Sequence, residues 1–155
     1  MSEVMLPQHL VRYAALVGVE RMLAGMTKPG RYGAIQEDGW RLNIIGACGE
    51  AAVAKYLGVY WDGAIGDFSA KDVGAIQTRA NGRENGDLIL HPSDNNEDVF
   101  ILIIAARLPT VNLAGWILGG EGKRLRFWRE ASPSRPGRPA FFVPQAALNP
   151  MEALL

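Results

Sequence analysis

Glu50, Asp72, Gln77 and Arg79 are the residues whose types and spacing could do chemistry. The stretch from Asp72 to Arg79 reads Asp-Val-Gly-Ala-Ile-Gln-Thr-Arg. Val73, Ile76 and their neighbours suit a short strand, and Gly74 allows a bend just after Asp72. Gln77 and Arg79 stand two apart, so they share a face of that strand. An acid at a strand's start, an amide oxygen further along it and a cation beside that amide make a divalent-metal site. Hard cations such as magnesium take oxygen ligands, often one or two carboxylates completed by water and substrate phosphate. Glu50 and Asp72 would supply the carboxylates, Gln77 the amide oxygen, and Arg79 would steady a phosphate or the charge developing on it. A metal so placed would activate water and polarise a phosphoryl oxygen.

Two helices must position Glu50. The apolar spacing of Leu10, Tyr13, Leu16, Val17, Val19, Met22 and Leu23 predicts a helix over residues 8–27 after Pro7. The segment from Thr27 to Gly33 then breaks it. A second helix is expected over 40–57, with Asp38 as N-cap and Gly58 at the C-terminal position. It contains Gly46-Ala-Cys-Gly49-Glu50-Ala-Ala-Val-Ala, a thin surface suited to close packing. Two interior glycines cost roughly 1 kcal/mol each against alanine, so packing or function must offset them. Glu50 is the one acid between Asp38 and Asp62; a solvated surface glutamate is the plain alternative.

Residues 59–71 read as a loop. Strands are expected over about 73–79, 87–91, 98–106 and 113–118, the third a nearly unbroken apolar run of the kind covered on both faces. Asn81-Gly82 and Asn85-Gly86 predict a hairpin joining the first two. Phe141 to Val143 form a short final strand, followed by a terminal turn or helix. The order helix, helix, strands, irregular segment, strand predicts an α+β domain with a mixed sheet flanked by the N-terminal helices.

Composition bounds the function classes. The chain has 155 residues, enough for one domain with one substantial core. Sixteen basic and sixteen acidic residues cancel, so attraction to nucleic acid must come from a local patch. Residues 123–138 are that patch: Lys123, Arg124, Arg126, Arg129, Arg135 and Arg138 stand against Glu130 alone, with Phe127 and Trp128 interleaved. The cations could contact phosphates and Trp128 could stack on a base; a solvated face with the aromatics as packing is the alternative. The single Cys48 excludes an internal disulfide and a thiolate zinc site and fits a reducing compartment. His9 and His91 read as structural or surface residues. The chain opens without a basic region and apolar core, and no window reaches eighteen uninterrupted apolar residues, so neither a signal peptide nor a membrane span is expected. A cytoplasmic protein is the expectation.

Helix Glu50, then Asp72, then Gln77-Thr-Arg79 resembles the PD-(D/E)xK nuclease superfamily, in particular small phage-encoded members with Gly-x-x-Gly-Glu, Asp-Val-Gly and Gly-Trp-Ile-x-Gly segments. Here these are Gly46 to Glu50, Asp72 to Gly74 and Gly115 to Gly119, within a core over 40–150 that follows a helical lead-in over 1–39. The resemblance implies a restriction-endonuclease-like αβββαβ core and magnesium- or manganese-dependent cleavage of DNA. It makes Asp72 the strand acid, Gln77 the occupant of the second acidic position, Arg79 the replacement for the usual lysine and Glu50 the helix acid. Gln77 removes a carboxylate, and Arg79 stabilises charge but relays no proton. The alternative is a catalytically weak or inactive binding protein on that scaffold, taking nucleic acid or a host or phage protein, in the host cytoplasm if phage-encoded; a homodimer is compatible with either. Glu121-Gly-Lys123 is a literal acid-x-lysine triplet, but it follows Gly119-Gly120 and reads as a turn.

Overall fold

A computed structural model describes residues 1–26, 36–65, 71–131 and 137–155, with backbone alone at 36–38. The break expected over 27–33, part of the 59–71 loop, the Asp38 side chain and Arg135 therefore lie outside the described residues. The chain is an α+β domain in three layers. Its elements are β1 (Ser2–Met5), α1 (Gln8–Met26), α2 (Gln36–Leu57), β2 (Ile76–Asn81), β3 (Leu88–Leu90), β4 (Val99–Arg107), β5 (Thr110–Leu118), a single helical turn α3 (Gly119–Gly122), β6 (Trp128–Arg129) and β7 (Ala140–Val143).

β4 is the axis of the fold. Its apolar run sits inside a four-stranded sheet ordered β1-β5-β4-β2, with β2 parallel to β4 and the remaining pairs antiparallel. Alternation sends Ile101, Ile103 and Ala105 to one face and Phe100, Leu102 and Ile104 to the other, and both faces are covered. The first face packs on α2 and α1. The second packs on a three-stranded antiparallel sheet ordered β3-β7-β6 through Leu88, Leu90, Phe141 and Val143.

The two glycines of α2 differ in what they do. A Cβ on Gly49 would sit 2.8 Å from Ile103 Cδ1 and Cγ2, so its bare backbone lets α2 lie against β4. A Cβ on Gly46 would meet nothing within 4 Å. Close packing thus accounts for one of the two helix-weakening residues.

The sequence expectations fail at pairing. β2 and β3, expected to form a hairpin through Asn81-Gly82 and Asn85-Gly86, join different sheets, β2 with β4 and β3 with β7. Parallel β2–β4 pairing needs a crossover, and β3 with its loops supplies it. β1 was not expected; it edges the sheet antiparallel to β5 and buries Val4. α2 begins at Gln36, two residues before the expected cap.

Candidate functional site: an acidic cluster and a basic rim

Glu50 lies on the face of α2 that packs into the helix-side core, between Gly49 and Ala51, and is 5% exposed. A carboxylate there needs partners, because an unpaired buried charge is costly. Arg21 of α1 supplies a two-pronged pair, Nη1 to Oε1 at 2.5 Å and Nη2 to Oε2 at 2.8 Å. Trp61 Nε1 donates to Oε2 at 2.9 Å. The other edge of the guanidinium holds the following loop, with Arg21 Nε donating to the Ala64 carbonyl at 2.9 Å. Burial pushes the Glu50 pKa up, and nearby Asp72 adds to this, while Arg21 and Trp61 oppose it. Burial is also the largest influence on Arg21 and lowers its pKa, yet the Glu50 contacts together lift it above the ordinary value. Arg21 and Trp61 bring three N–H donors to Glu50, which favours its charged carboxylate form, while burial holds its pKa above that of a solvated glutamate.

Asp72 ends just before a tight reversal. Ile76 N–H returns to the Val73 carbonyl at 2.9 Å, and Gly74 carries the positive φ of 57° that this needs. The Asp72 carboxylate then accepts from Thr78 N–H at 2.6 Å and Thr78 Oγ1 at 3.1 Å. Thr78 is buried on the helix side, level with Ile101. Asp72 is therefore on the Glu50–Arg21 side of the sheet and close enough to act on both.

Gln77 and Arg79 share a face as expected, but it is the opposite face. They pair in register with Phe100 and Leu102, whose side chains belong to the second core. The Arg79 guanidinium lies 4.9 Å over the Phe100 ring, donates to the Thr78 carbonyl at 2.9 Å and pairs with Asp94 at 3.0 Å. The four residues proposed for one site thus divide between two sides of the sheet, Glu50 and Asp72 under the helices, Gln77 and Arg79 away from them. The alternation of a strand forces this split once Thr78 is the inward residue.

The second side carries most of the chain's basic segment. Asp94 is its brace: Oδ1 takes Arg79, Oδ2 accepts from His91 N–H at 2.8 Å, and its carbonyl takes Lys123 Nζ at 2.5 Å. Lys123 also donates to the Pro92 carbonyl. Register gathers more cations at this end. Leu90 faces Phe141 across β3–β7 and Arg129 faces Ala140 across β6–β7, so His91, Arg129 and Arg138 come to one end of the small sheet. The imidazole of His91 senses this: burial lowers its pKa first, Arg138 and Arg79 lower it further, and Asp94 alone opposes them. Arg124, Arg126 and Arg129 are exposed on the turn and strand beside the rim. Trp128 is held instead, its ring edge-on to Phe141 at 4.9 Å and its Nε1 on Glu130, so it packs the rim. Glu121-Gly-Lys123 lies in and just after α3, as a turn.

The metal expectation requires Glu50, Asp72 and Gln77 to meet. Here both Glu50 oxygens already hold N–H donors, and Gln77 faces away from Glu50. Among the described residues no group of three or more His, Cys, Asp or Glu side chains is placed to hold a metal ion. This arrangement does not fit the implied cation, and no chemical step is derived through one. Cys48 is buried, which pushes its thiol pKa up and away from nucleophilic use.

No family model, curated protein or solved structure matches the chain. No helix among the described residues is long and apolar enough to cross a membrane.

Arg21 and Trp61 are the residues that sequence reasoning missed. A signal existed: Ala14, Val17, Gly18, Met22 and Gly25 form the buried stripe of α1, and Arg21 falls on it. An arginine on a buried stripe demands an acid, and the neighbouring helix offers one.

Proposed function

We propose that this protein binds the phosphate backbone of DNA through the basic rim, and that the Glu50–Asp72 cluster serves the scaffold. The observation that carries the reading is the gathering of Arg79, Lys123, Arg129 and Arg138 around the His91–Asp94 loop, next to exposed Arg124 and Arg126. A neutral chain that places six of its sixteen Lys and Arg residues at or beside one end of one sheet has a local field that its net charge conceals. Arginine suits the task, since its planar fork meets phosphate oxygens in pairs. Cation contacts to phosphate carry no base information, so the expected binding is tolerant of sequence.

Fluorescence anisotropy with a labelled duplex, titrated across potassium chloride concentrations, tests the reading. About three phosphate contacts give a slope of log K against log salt near −3. A slope near zero, or no binding at low salt, overturns it. Adding magnesium or manganese to the same mixtures should leave the DNA intact. Metal-dependent products lost on Asp72→Asn would mean that Glu50 is released by Arg21 during turnover and that the scaffold assignment is wrong.

A further inference from the structure

Leu125 stands in the middle of the basic rim and is 86% exposed. Between Pro109 and Leu154 no other large aliphatic or aromatic side chain of the described residues is left exposed. A lone exposed leucine is ordinary on a protein surface. This one is flanked by exposed Arg124 and Arg126 and opens a single 3-10 turn, Leu125–Phe127, that is held from beneath. Phe127 is buried in the core between the two sheets, and the Arg126 guanidinium lies 4.5 Å over its ring. Phe127 N–H returns to the Arg124 carbonyl at 2.9 Å, and Trp128 N–H returns to that of Leu125. Arg129 Nη1 ties down the Arg126 and Trp128 carbonyls at 3.0 and 2.8 Å. At the near end, Lys123 N–H donates to the Gly119 carbonyl at 3.0 Å, while its Nζ grips the Pro92 and Asp94 carbonyls. The polar groups of the turn thus fix its shape and leave Leu125 proud of the surface.

We propose that Leu125 is a wedge that enters the minor groove of duplex DNA and parts two stacked base pairs. The proposal rests on the reading of the rim as a phosphate-binding surface, and it names the kind of duplex the rim takes. Charge selects the ligand: residues 121–130 carry Lys123, Arg124, Arg126 and Arg129 against Glu121 and Glu130, a surplus of two positive charges around the leucine. Glu130 is turned to Trp128 Nε1 at 2.7 Å. With phosphates held by the cations on either side of Leu125, the apolar surface within its reach is the face of a base pair. Proteins that kink DNA insert side chains of this kind between base steps from the minor groove. The two aromatics of the turn are not offered to an unpaired base, because Phe127 is buried and Trp128 packs on Phe141. Single-strand binding built on base stacking is therefore not favoured. Opening a step costs least where the stack is already weak, at a TA step or a mismatch, and most in a stiff A-tract. The rim accordingly discriminates among duplexes by deformability while its phosphate contacts stay indifferent to base identity.

Three duplexes of equal length and charge test this, with a central A-tract, a central TA step or a central mismatch, each titrated with the full chain by anisotropy. Wild type should bind the mismatched duplex about tenfold more tightly than the A-tract, with the TA duplex between them. With 2-aminopurine in place of the adenine of the TA step, its emission should rise on binding as the step unstacks. Leu125→Ala should bind all three duplexes about as wild type binds the A-tract, with an unchanged salt slope and no rise in emission. Leu125→Met, which keeps a long apolar side chain, should restore the preference and the rise. The position is exposed, so both variants should fold as wild type does, checked by circular dichroism. Equal wild-type affinity for the three duplexes with no rise in emission would overturn the wedge and leave the phosphate-binding rim standing. Binding to none of them would overturn the rim reading and the wedge with it. A mismatch preference that survives Leu125→Ala would overturn the wedge as well. So would wild-type binding to phosphatidylserine vesicles that Leu125→Ala abolishes while its DNA affinities stay as in wild type, since the leucine would then serve a membrane surface.

Discussion

Replacing Arg21 by alanine should be among the most damaging single changes outside the central sheet. The change removes two hydrogen bonds to Glu50 and one to the Ala64 carbonyl. It leaves a carboxylate whose side chain is 6% exposed, beside Asp72 and with Trp61 as its remaining partner. Removing one member of a buried ion pair costs about 3–5 kcal/mol. The Arg21 side chain is 21% exposed, so water screens part of the loss and the lower end, about 3 kcal/mol, applies. For a chain of this length that is a fall in Tm of roughly 6–12 °C. Replacing both partners, as in Arg21→Met with Glu50→Leu, should cost about 1–3 kcal/mol less than the two single changes summed. The pH dependence has a definite sign. Without Arg21 the Glu50 pKa rises further, so protonation favours the folded state, and the deficit of Arg21→Ala shrinks as pH falls through that raised pKa. Urea unfolding at pH 7 and at pH 5 measures both effects. A cost within 0.5 kcal/mol of zero at pH 7 would refute the reasoning, because an exposed surface substitution gives as much.

Other outcomes follow from single contacts. Gly46→Ala should stabilise by about 0.5–1 kcal/mol, since the new methyl meets open space in a helix interior. Gly49→Ala should instead destabilise by about 1–2 kcal/mol, the clash with Ile103 exceeding the helix gain; thermal melts of the two read the contrast. His91 is held below its ordinary pKa by burial, Arg138 and Arg79, so the unfolded chain takes up a proton that the folded one resists. Its contribution to stability is complete above about pH 6.5 and declines as pH falls below it. Bound phosphate would reverse that local potential, so DNA affinity should rise between pH 7 and pH 5.5, and His91→Gln should flatten the rise.

Periodicity made most elements legible. The buried run of β4 carries its own signal, because burial on a regular element repeats along the chain. Helix α1 is legible by its apolar spacing, although Tyr13, Leu16 and Leu23 of that spacing are exposed and the buried stripe is Ala14, Val17, Gly18, Met22 and Gly25. Pairing was less legible, since it depends on residues far apart. Asn81-Gly82 and Asn85-Gly86 carry hairpin chemistry, yet β4 takes the edge of β2 and β7 takes β3. The second sheet could not be read locally: β6 has two residues, β3 three and β7 four, too short for alternation to show. The site was half legible. Glu50 and Asp72 were expected to come near each other, and they do. Which way Gln77 and Arg79 point depends on whether Thr78 or its neighbours turn inward, and Ile76-Gln-Thr-Arg offers no strong apolar alternation to decide it.

The most direct measurement compares two double variants against wild type in duplex-DNA binding by anisotropy at fixed low salt. One is Arg129→Gln with Arg138→Gln on the rim; the other is Glu50→Gln with Asp72→Asn in the acidic cluster, assayed at a temperature where both are folded. The account predicts that the rim variant binds at least about tenfold more weakly and loses roughly two units of salt slope, while the acidic-cluster variant binds as wild type does. Loss of binding in the acidic-cluster variant with the rim variant unchanged would contradict it.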